Sequence, residues 1–260
     1  MKSTLMMVAL AGAMTVPAAA SAQSVVALMN GNRIAVVDAK ALKAAAPMKV
    51  SGVSGKLLGI DVRPADGKLY GLFEDGTVAT IDPVSGTATV KAKLEAMLPS
   101  GTAATVDFNP VADRLRVIGT DGTNLRANVD DGKVVRDGML KFADADKHMG
   151  KPPAIVAGAY TNSMKGAKET ALYDIDGKLG VLVKQAPPND GILNSVGAIG
   201  VEGKGYAFDI VAADAGANEG WLMAGTMLYR VDLATGKATS AGKVSGLDGT
   251  VSDIAIIPAM

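Results

Sequence analysis

Residues Thr105 to Gly132 read TVDFNPVADRLRVIGTDGTNLRANVDDG, and this stretch decides the fold. Val106 to Asn109 is a short run stopped by Pro110, and Arg114 to Ile118 alternates charged and branched residues. Asp121-Gly122 and Asp131-Gly132 are dipeptides that supply positive φ at tight hairpin corners. The pattern is strand, turn, strand, turn, strand, turn, with no room for a helix. Three or four such strands in about 30 residues make an antiparallel meander that cannot bury both faces by itself.

The same pattern recurs upstream. GIDVRPADGKLYGL, beginning at Gly59, and TVDFNPVADRLRVI, beginning at Thr105, share an Asp (Asp61, Asp107) and a Pro three residues later (Pro64, Pro110). The repeat spacing of 46 residues lies in the range of propellers and solenoids. A third unit is expected from Ala154 to Val183, with Ser163 to Glu169 inserted between its first two strands. A fourth is expected from near Val196 to Val244. Ala39 to Ala46 and Lys93 to Leu98 each read as a single helical turn.

The termini carry the closing argument. Val251 to Pro258 reads as the first strand of a unit whose other strands are missing. Val25 to Met29 and Arg33 to Asp38, joined through Asn30-Gly31, supply them from the other end of the chain. A repeat permuted across the ends closes a ring, which protects its edge strands. The expectation is an all-β chain forming a single β-propeller-like domain over residues 23–260. It has five four-stranded antiparallel blades, or six if the fourth unit is really two. Pairing of the N-terminal strands with the C-terminal strand closes it.

Composition narrows the function classes. The 26 basic and 26 acidic residues balance, and loss of Lys2 with a leader leaves 25 against 26, or −1. A nucleic-acid partner, which wants a basic stripe, is therefore not expected. The chain has no Cys, so disulfides, thiol nucleophiles and thiolate metal sites are excluded. Residues 1–22 have the parts of a secretory signal: Lys2, an apolar run from Leu5 to Val16, and Ala20-Ser21-Ala22 as the cleavage site. An exported bacterial protein, periplasmic or extracellular and not inserted in a membrane after cleavage, is expected.

GIDVRPADGKLYGL, DFNPVADRLRVI, GTNLRANVDDG, AYTNS and QAPPNDGILNSVG, taken in order, resemble the bacterial exported proteins grouped as domain of unknown function 4394. The resemblance spans about Val25 to Pro258. It implies a propeller-like β repeat and export, and it implies no reaction, ligand or catalytic residue.

Candidate chemistry starts with Asp61, Asp107 and Asp253, at equivalent places on the first strands of three units. First strands line a propeller's channel, so three carboxylates would converge there. Converging oxygens suit a hard cation such as Ca²⁺, or an acid and base pair if crowding raises one pKa. The structural alternative, an Asp accepting backbone N–H bonds, is favoured by the repetition itself. Asp144-x-Asp146-x-His148-x-Gly150 is a loose shadow of a calcium loop without its twelfth-position acid, and reads as a solvated loop. A Ser-His-Asp triad would need His148, the sole His, and no G-x-S-x-G elbow surrounds any Ser. Tyr160, Asn162, Asn189 and Asp190 are expected on polar loops, which read as plain connections between units before they read as a binding face. Asn124, Arg126 and Asn128 alternate on one strand and read as a solvated face. Trp221, the only Trp, is a core or rim aromatic before it is a sugar platform.

The expected function is a non-enzymatic binding module for a protein, a glycan or a small ligand. The alternative is a calcium-dependent hydrolase or lactonase with Asp61, Asp107 and Asp253 on the channel.

Overall fold

A computed structural model describes residues 24–202, 205–213 and 217–257. The leader, residues 1–22, and Pro258 lie outside the described residues. The strands form five sheets, each the blade of a β-propeller. The first blade joins β1 (Ser24–Met29), β2 (Arg33–Asp38), β3 (Lys43–Ala44) and β4 (Met48–Lys49) to β22 (Val251–Ile257). The second is β5 (Leu57–Val62), β6 (Leu69–Phe73), β7 (Thr77–Ile81) and β8 (Ala88–Lys93). The third is β9 (Ala104–Asn109), β10 (Arg114–Gly119), β11 (Asn124–Ala127) and β12 (Val134–Arg136). The fourth holds β14 (Ile155–Tyr160), β15 (Leu172–Asp176), β16 (Val181–Gln185) and β17 (Ile192–Ala198), with β13 (Lys141–Phe142) parallel to β17. The fifth is β18 (Tyr206–Ala212), β19 (Asn218–Ala224), β20 (Met227–Val231) and β21 (Ala238–Lys243).

Strands β22, β5, β9, β14 and β18 are innermost and pack in that cyclic order around the axis. The ring closes as the permuted repeat requires: β1 pairs antiparallel with β22, placing Val26 opposite Ala255 and Ala27 opposite Ile254. Apolar residues on facing sheets fill the gaps between blades. Val25, Ala27 and Met29 meet Trp221 and Met223, while Tyr70 and Leu72 meet Phe108 and Val117. Small residues let the inner strands approach closely. At Gly59 a Cβ would stand 2.6 Å from Val106 and 2.8 Å from the Asp253 carboxylate.

Three expectations are corrected, and the count of five blades stands. Residues 39–42 form a turn that leads into β3, and residues 95–96 form a bend followed by irregular chain at 97–98, so neither connector is helical. Their apolar residues, Leu42 in the first connector and Leu94 and Leu98 in the second, pack on the blades from turns and bends instead of from one helix face. Val196 belongs to β17, the outermost full strand of the fourth blade, so the fifth blade begins at Tyr206. Trp221 lies within β19, so the fourth unit of the sequence is one blade and the count is five.

Proline at Ala255 would remove an N–H from the closing strand pair and open the ring. Ala255→Pro is expected to lower stability by about 3 kcal/mol or more, read as a reduced urea midpoint. An unchanged midpoint would contradict closure through β1 and β22.

Candidate functional site

Each inner strand except β14 carries one buried Asp: Asp61 on β5, Asp107 on β9, Asp209 on β18 and Asp253 on β22. Each reaches across a blade junction to accept a backbone N–H. Asp209 Oδ2 accepts from Ile256 (2.6 Å) and Asp253 Oδ2 from Ile60 (2.8 Å). Asp61 Oδ2 accepts from Phe108 (2.6 Å) and Asp107 Oδ1 from Tyr160 (2.9 Å). Asp61, Asp209 and Asp253 also accept the N–H of the next residue on their own strands. The junction between the fourth and fifth blades has no such clasp among the described residues. There Ala157 and Ala159 pack on Phe208 and Ile210.

The clasps draw the carboxylates together. One oxygen from each of Asp61, Asp107 and Asp209 lies within 4.8 Å of the others. Of the expected trio, Asp61 and Asp107 are therefore joined by Asp209, and Asp253 stands beside them as a fourth charge. Sequence reading passed over Asp209, although FDI at Phe208 repeats the apolar-Asp-apolar pattern of IDV and VDF.

Burial raises all four pKa values. Asp61 is held well above the usual carboxylate range by burial and then by the charge of Asp209, against the Phe108 and Val62 N–H groups. Asp107 is held well above it by burial and then by Asp61. Burial also pushes Asp253 well up, and Asp209 to about 6. At 4.8 Å and an effective dielectric near 20, two carboxylates repel by about 3.5 kcal/mol. Three ionised pairs would then cost about 10 kcal/mol, comparable to the whole net stability of a domain. The cluster must hold protons or a cation.

A second polar assembly lies between the third and fourth blades. Arg116, on β10, is 2% exposed and makes four hydrogen bonds. Nε donates to Tyr160 Oη (3.1 Å), Nη1 to Asn124 Oδ1 (2.8 Å) and Asp137 Oδ2 (2.5 Å), and Nη2 to Asn189 Oδ1 (2.8 Å). Asp137 also receives Nε and Nη2 of Arg126 at 2.6 and 2.9 Å. The Asn124 amide and Gln185 Nε2 both donate to the carbonyl of Pro188, fixing the 3₁₀ turn Pro188–Asp190. Behind Arg116, Asp174 of β15 is fully buried and neither of its oxygens has a protein partner. Gly158 makes room for it, because a Cβ there would overlap the Asp174 carboxylate. Burial pushes Asp174 up to about 8, opposed by the charge of Arg116.

This assembly corrects several expectations. Tyr160 is buried at the end of β14 rather than set on a loop surface, and it meets Asn189 through Arg116. Asn162, with φ of 57°, lies apart from this assembly and pairs with Asn218. Asn189 and Asp190 are exposed. Asn124 is 1% exposed, so its strand face is interior polar surface, turned inward by Arg116. Trp221 is 3% exposed beneath Arg230, whose guanidinium lies 3.4 Å from the ring centroid, which leaves no open platform for a sugar.

The residues 144–150 hold no free calcium loop. Asp146 accepts from the backbone N–H of His148 and from both the N–H and Oγ of Ser195. His148 Nδ1 lies 3.1 Å from Ser195 Oγ, whose proton goes to Asp146, so the three side chains fasten this loop to β17. In a triad the His stands between Ser and Asp, and here the Ser does.

A family model described as Domain of unknown function (DUF4394) matches residues 33–255. No curated protein matches the chain. Among solved structures it is similar to a Bacteroides thetaiotaomicron protein of unknown function, at 14% identity and a TM-score of 0.54, covering 93% of this chain and 66% of that one. It is also similar to a protein of unknown function from Bacteroides caccae, at 12% identity and a TM-score of 0.48, covering 91% of this chain and 99% of that one. At 14% identity the likeness to the Bacteroides thetaiotaomicron protein is one of fold alone. No helix among the described residues is long and apolar enough to cross a membrane.

Raised carboxylate pKa values fix the sign of a pH dependence. The folded chain keeps protons that the unfolded chain has lost, so stability is full below about pH 4 and falls as pH rises through the folded values. For Asp209 that value is about 6, and for Asp174 about 8. In chelator-treated protein the melting temperature is expected to fall from pH 5 to pH 9, with Asp174→Asn removing the upper part of the fall. A melting temperature that rises over this range would contradict the assignment.

Proposed function

The chain belongs to the DUF4394 family, and from that premise we propose that it is an exported binding module with a hard divalent cation, of the Ca²⁺ type, on its axis. The leader sequence supports export. One observation carries the cation: carboxylate oxygens of Asp61, Asp107 and Asp209 lie within 4.8 Å of one another. Calcium binds oxygens at about 2.4 Å, so two ligands on opposite sides of the ion stand about 4.8 Å apart. Only one pair of the three can span that full distance; three oxygens spaced evenly around the ion stand about 4.2 Å apart, inside the limit that the three carboxylates meet.

The backbone clasps do not compete with this role. A carboxylate has about four acceptor directions, and the N–H groups that meet Asp61 and Asp209 use two on each. Those N–H groups aim the carboxylates and leave acceptor capacity for an ion. The cation replaces protons that burial and mutual repulsion would otherwise require. The rigid ring it braces presents its loops, including Asn189 and Asp190, to a protein, glycan or small ligand.

Elemental analysis of protein purified without chelator is expected to find close to one equivalent of calcium. After chelation, added CaCl₂ should raise the melting temperature, by an amount growing as the logarithm of its concentration above Kd. Asp209→Asn should abolish most of that rise. Absence of bound metal together with a melting temperature indifferent to calcium would leave the carboxylates as protonated clasps alone.

A further inference from the structure

The ion pairs at two neighbouring blade junctions differ in their charge balance. Between the second and third blades, Arg63 is 6% exposed and meets Asp113 at 2.6 Å and Asp130 at 2.7 Å, and Lys91 meets Asp130 at 3.2 Å, so two cations face two carboxylates. Between the third and fourth blades the balance is lost. Arg116 and Arg126 share the single carboxylate of Asp137, at 2.5 and 2.6 Å. Two guanidiniums and one carboxylate leave one positive charge in a site where the side chains of Arg116 and Asp137 are only 3% and 5% exposed.

Asp107, across the strand pair from Arg116, is turned to the Tyr160 N–H and the axial cluster; Asp174 is the other group that could balance the charge, and the geometry does not use it so. It makes no hydrogen bond to Arg116 or to any other described group, and at neutral pH burial keeps it mostly protonated. The donors confirm the deficit. Arg116 has five N–H groups, of which four have partners, and Asp137 takes only two of the five on Arg126. On the solvent side, the group covering Nη2 of Arg116 is the uncharged carboxamide oxygen of Asn189, on an exposed turn.

We propose that the Arg116–Arg126 pair is a binding site for a carboxylate-bearing small ligand, which takes the place of Asn189 on Arg116 and supplies the missing negative charge. Two cross-strand guanidiniums offer paired, planar N–H groups, which match a carboxylate better than a single point charge would. Arg126, whose side chain is 30% exposed, provides the route from solvent. The Asn189 amide occupies the position of one ligand oxygen and holds the site closed when no ligand is present.

Calorimetric titration of the full chain with malonate, and with malonamide as its uncharged counterpart, tests this at constant ionic strength. Malonate is expected to bind about tenfold or more tightly than malonamide, the range of a charge-assisted hydrogen bond. Asn189→Ala removes the competing amide from an exposed turn and should tighten malonate binding about threefold or more. Arg126→Gln should weaken it about tenfold. If Arg126→Gln does not fold, the Asn189→Ala comparison stands alone. Equal binding of malonate and malonamide, unchanged or weaker binding in Asn189→Ala, or phosphate binding as tightly as malonate would overturn the assignment.

Discussion

A side-chain carboxylate accepting a backbone N–H from the next blade is the contact on which the ring depends. Inner strands of a propeller do not hydrogen-bond one another as a sheet does, so their inward N–H groups need other acceptors. Asp209, Asp253, Asp61 and Asp107 provide them at four successive junctions. A carboxylate bond of this kind is stronger than an amide one and fixes the rotation of each blade on its neighbour. The same geometry forces four acids toward one axis. Structural demand and ion-binding capacity therefore have one origin, and the repetition of the Asp does not decide between them.

Much of the fold was legible because it is written locally and then repeated. Asp-Gly and Asn-Gly corners fall where the chain has positive φ, at Gly122, Gly132 and Asn30 among others. The permuted strand at Val251 paired with β1 as its truncation implied. What failed was reading outside the repeat's regular beat. Val196 lies among small and polar residues that suit either the last strand of one blade or the first of the next, and only the pairing with β16 settles it. Asp209 escaped because a unit begun near Val196 makes Tyr206 to Val211 its second strand, and the expected carboxylates belong to first strands.

The interblade polar assembly was the least legible part. Alternation in Asn124, Arg126 and Asn128 marks a shared face but cannot say which way it points, since polar alternation usually marks solvent. Its inward turn follows from partners 60 and more residues away: Asn124 bonds Pro188 at a separation of 64, and Arg116 bonds Asn189 at 73. Motifs that in sequence looked like separate loops, DRLRVI, TNLRAN, AYTNS and QAPPND, all send a side chain or a carbonyl to this place. Non-local convergence of this kind leaves no periodicity to find.

The two polar centres meet at the third blade. Asp107, a member of the axial cluster, lies directly across the strand pair from Arg116, and Arg116 lies across from Arg126. One row of three residues thus runs from the axis to the part-exposed rim. The equivalent row in the second blade is Asp61, Tyr70 and Thr80, and in the fifth it is Asp209, Trp221 and Arg230. Asp-to-aromatic contacts end the polar path one strand out from the axis in those blades. In the third blade the guanidiniums carry it outward, and the fourth blade faces them with Asp174, Gln185 and Tyr160 instead of a wholly apolar surface. Buried polar groups of this number cost stability unless each finds a partner. Their concentration at one junction, beyond the carboxylate clasp that three other junctions share with it, marks the place where the repeat has departed from what the fold alone requires.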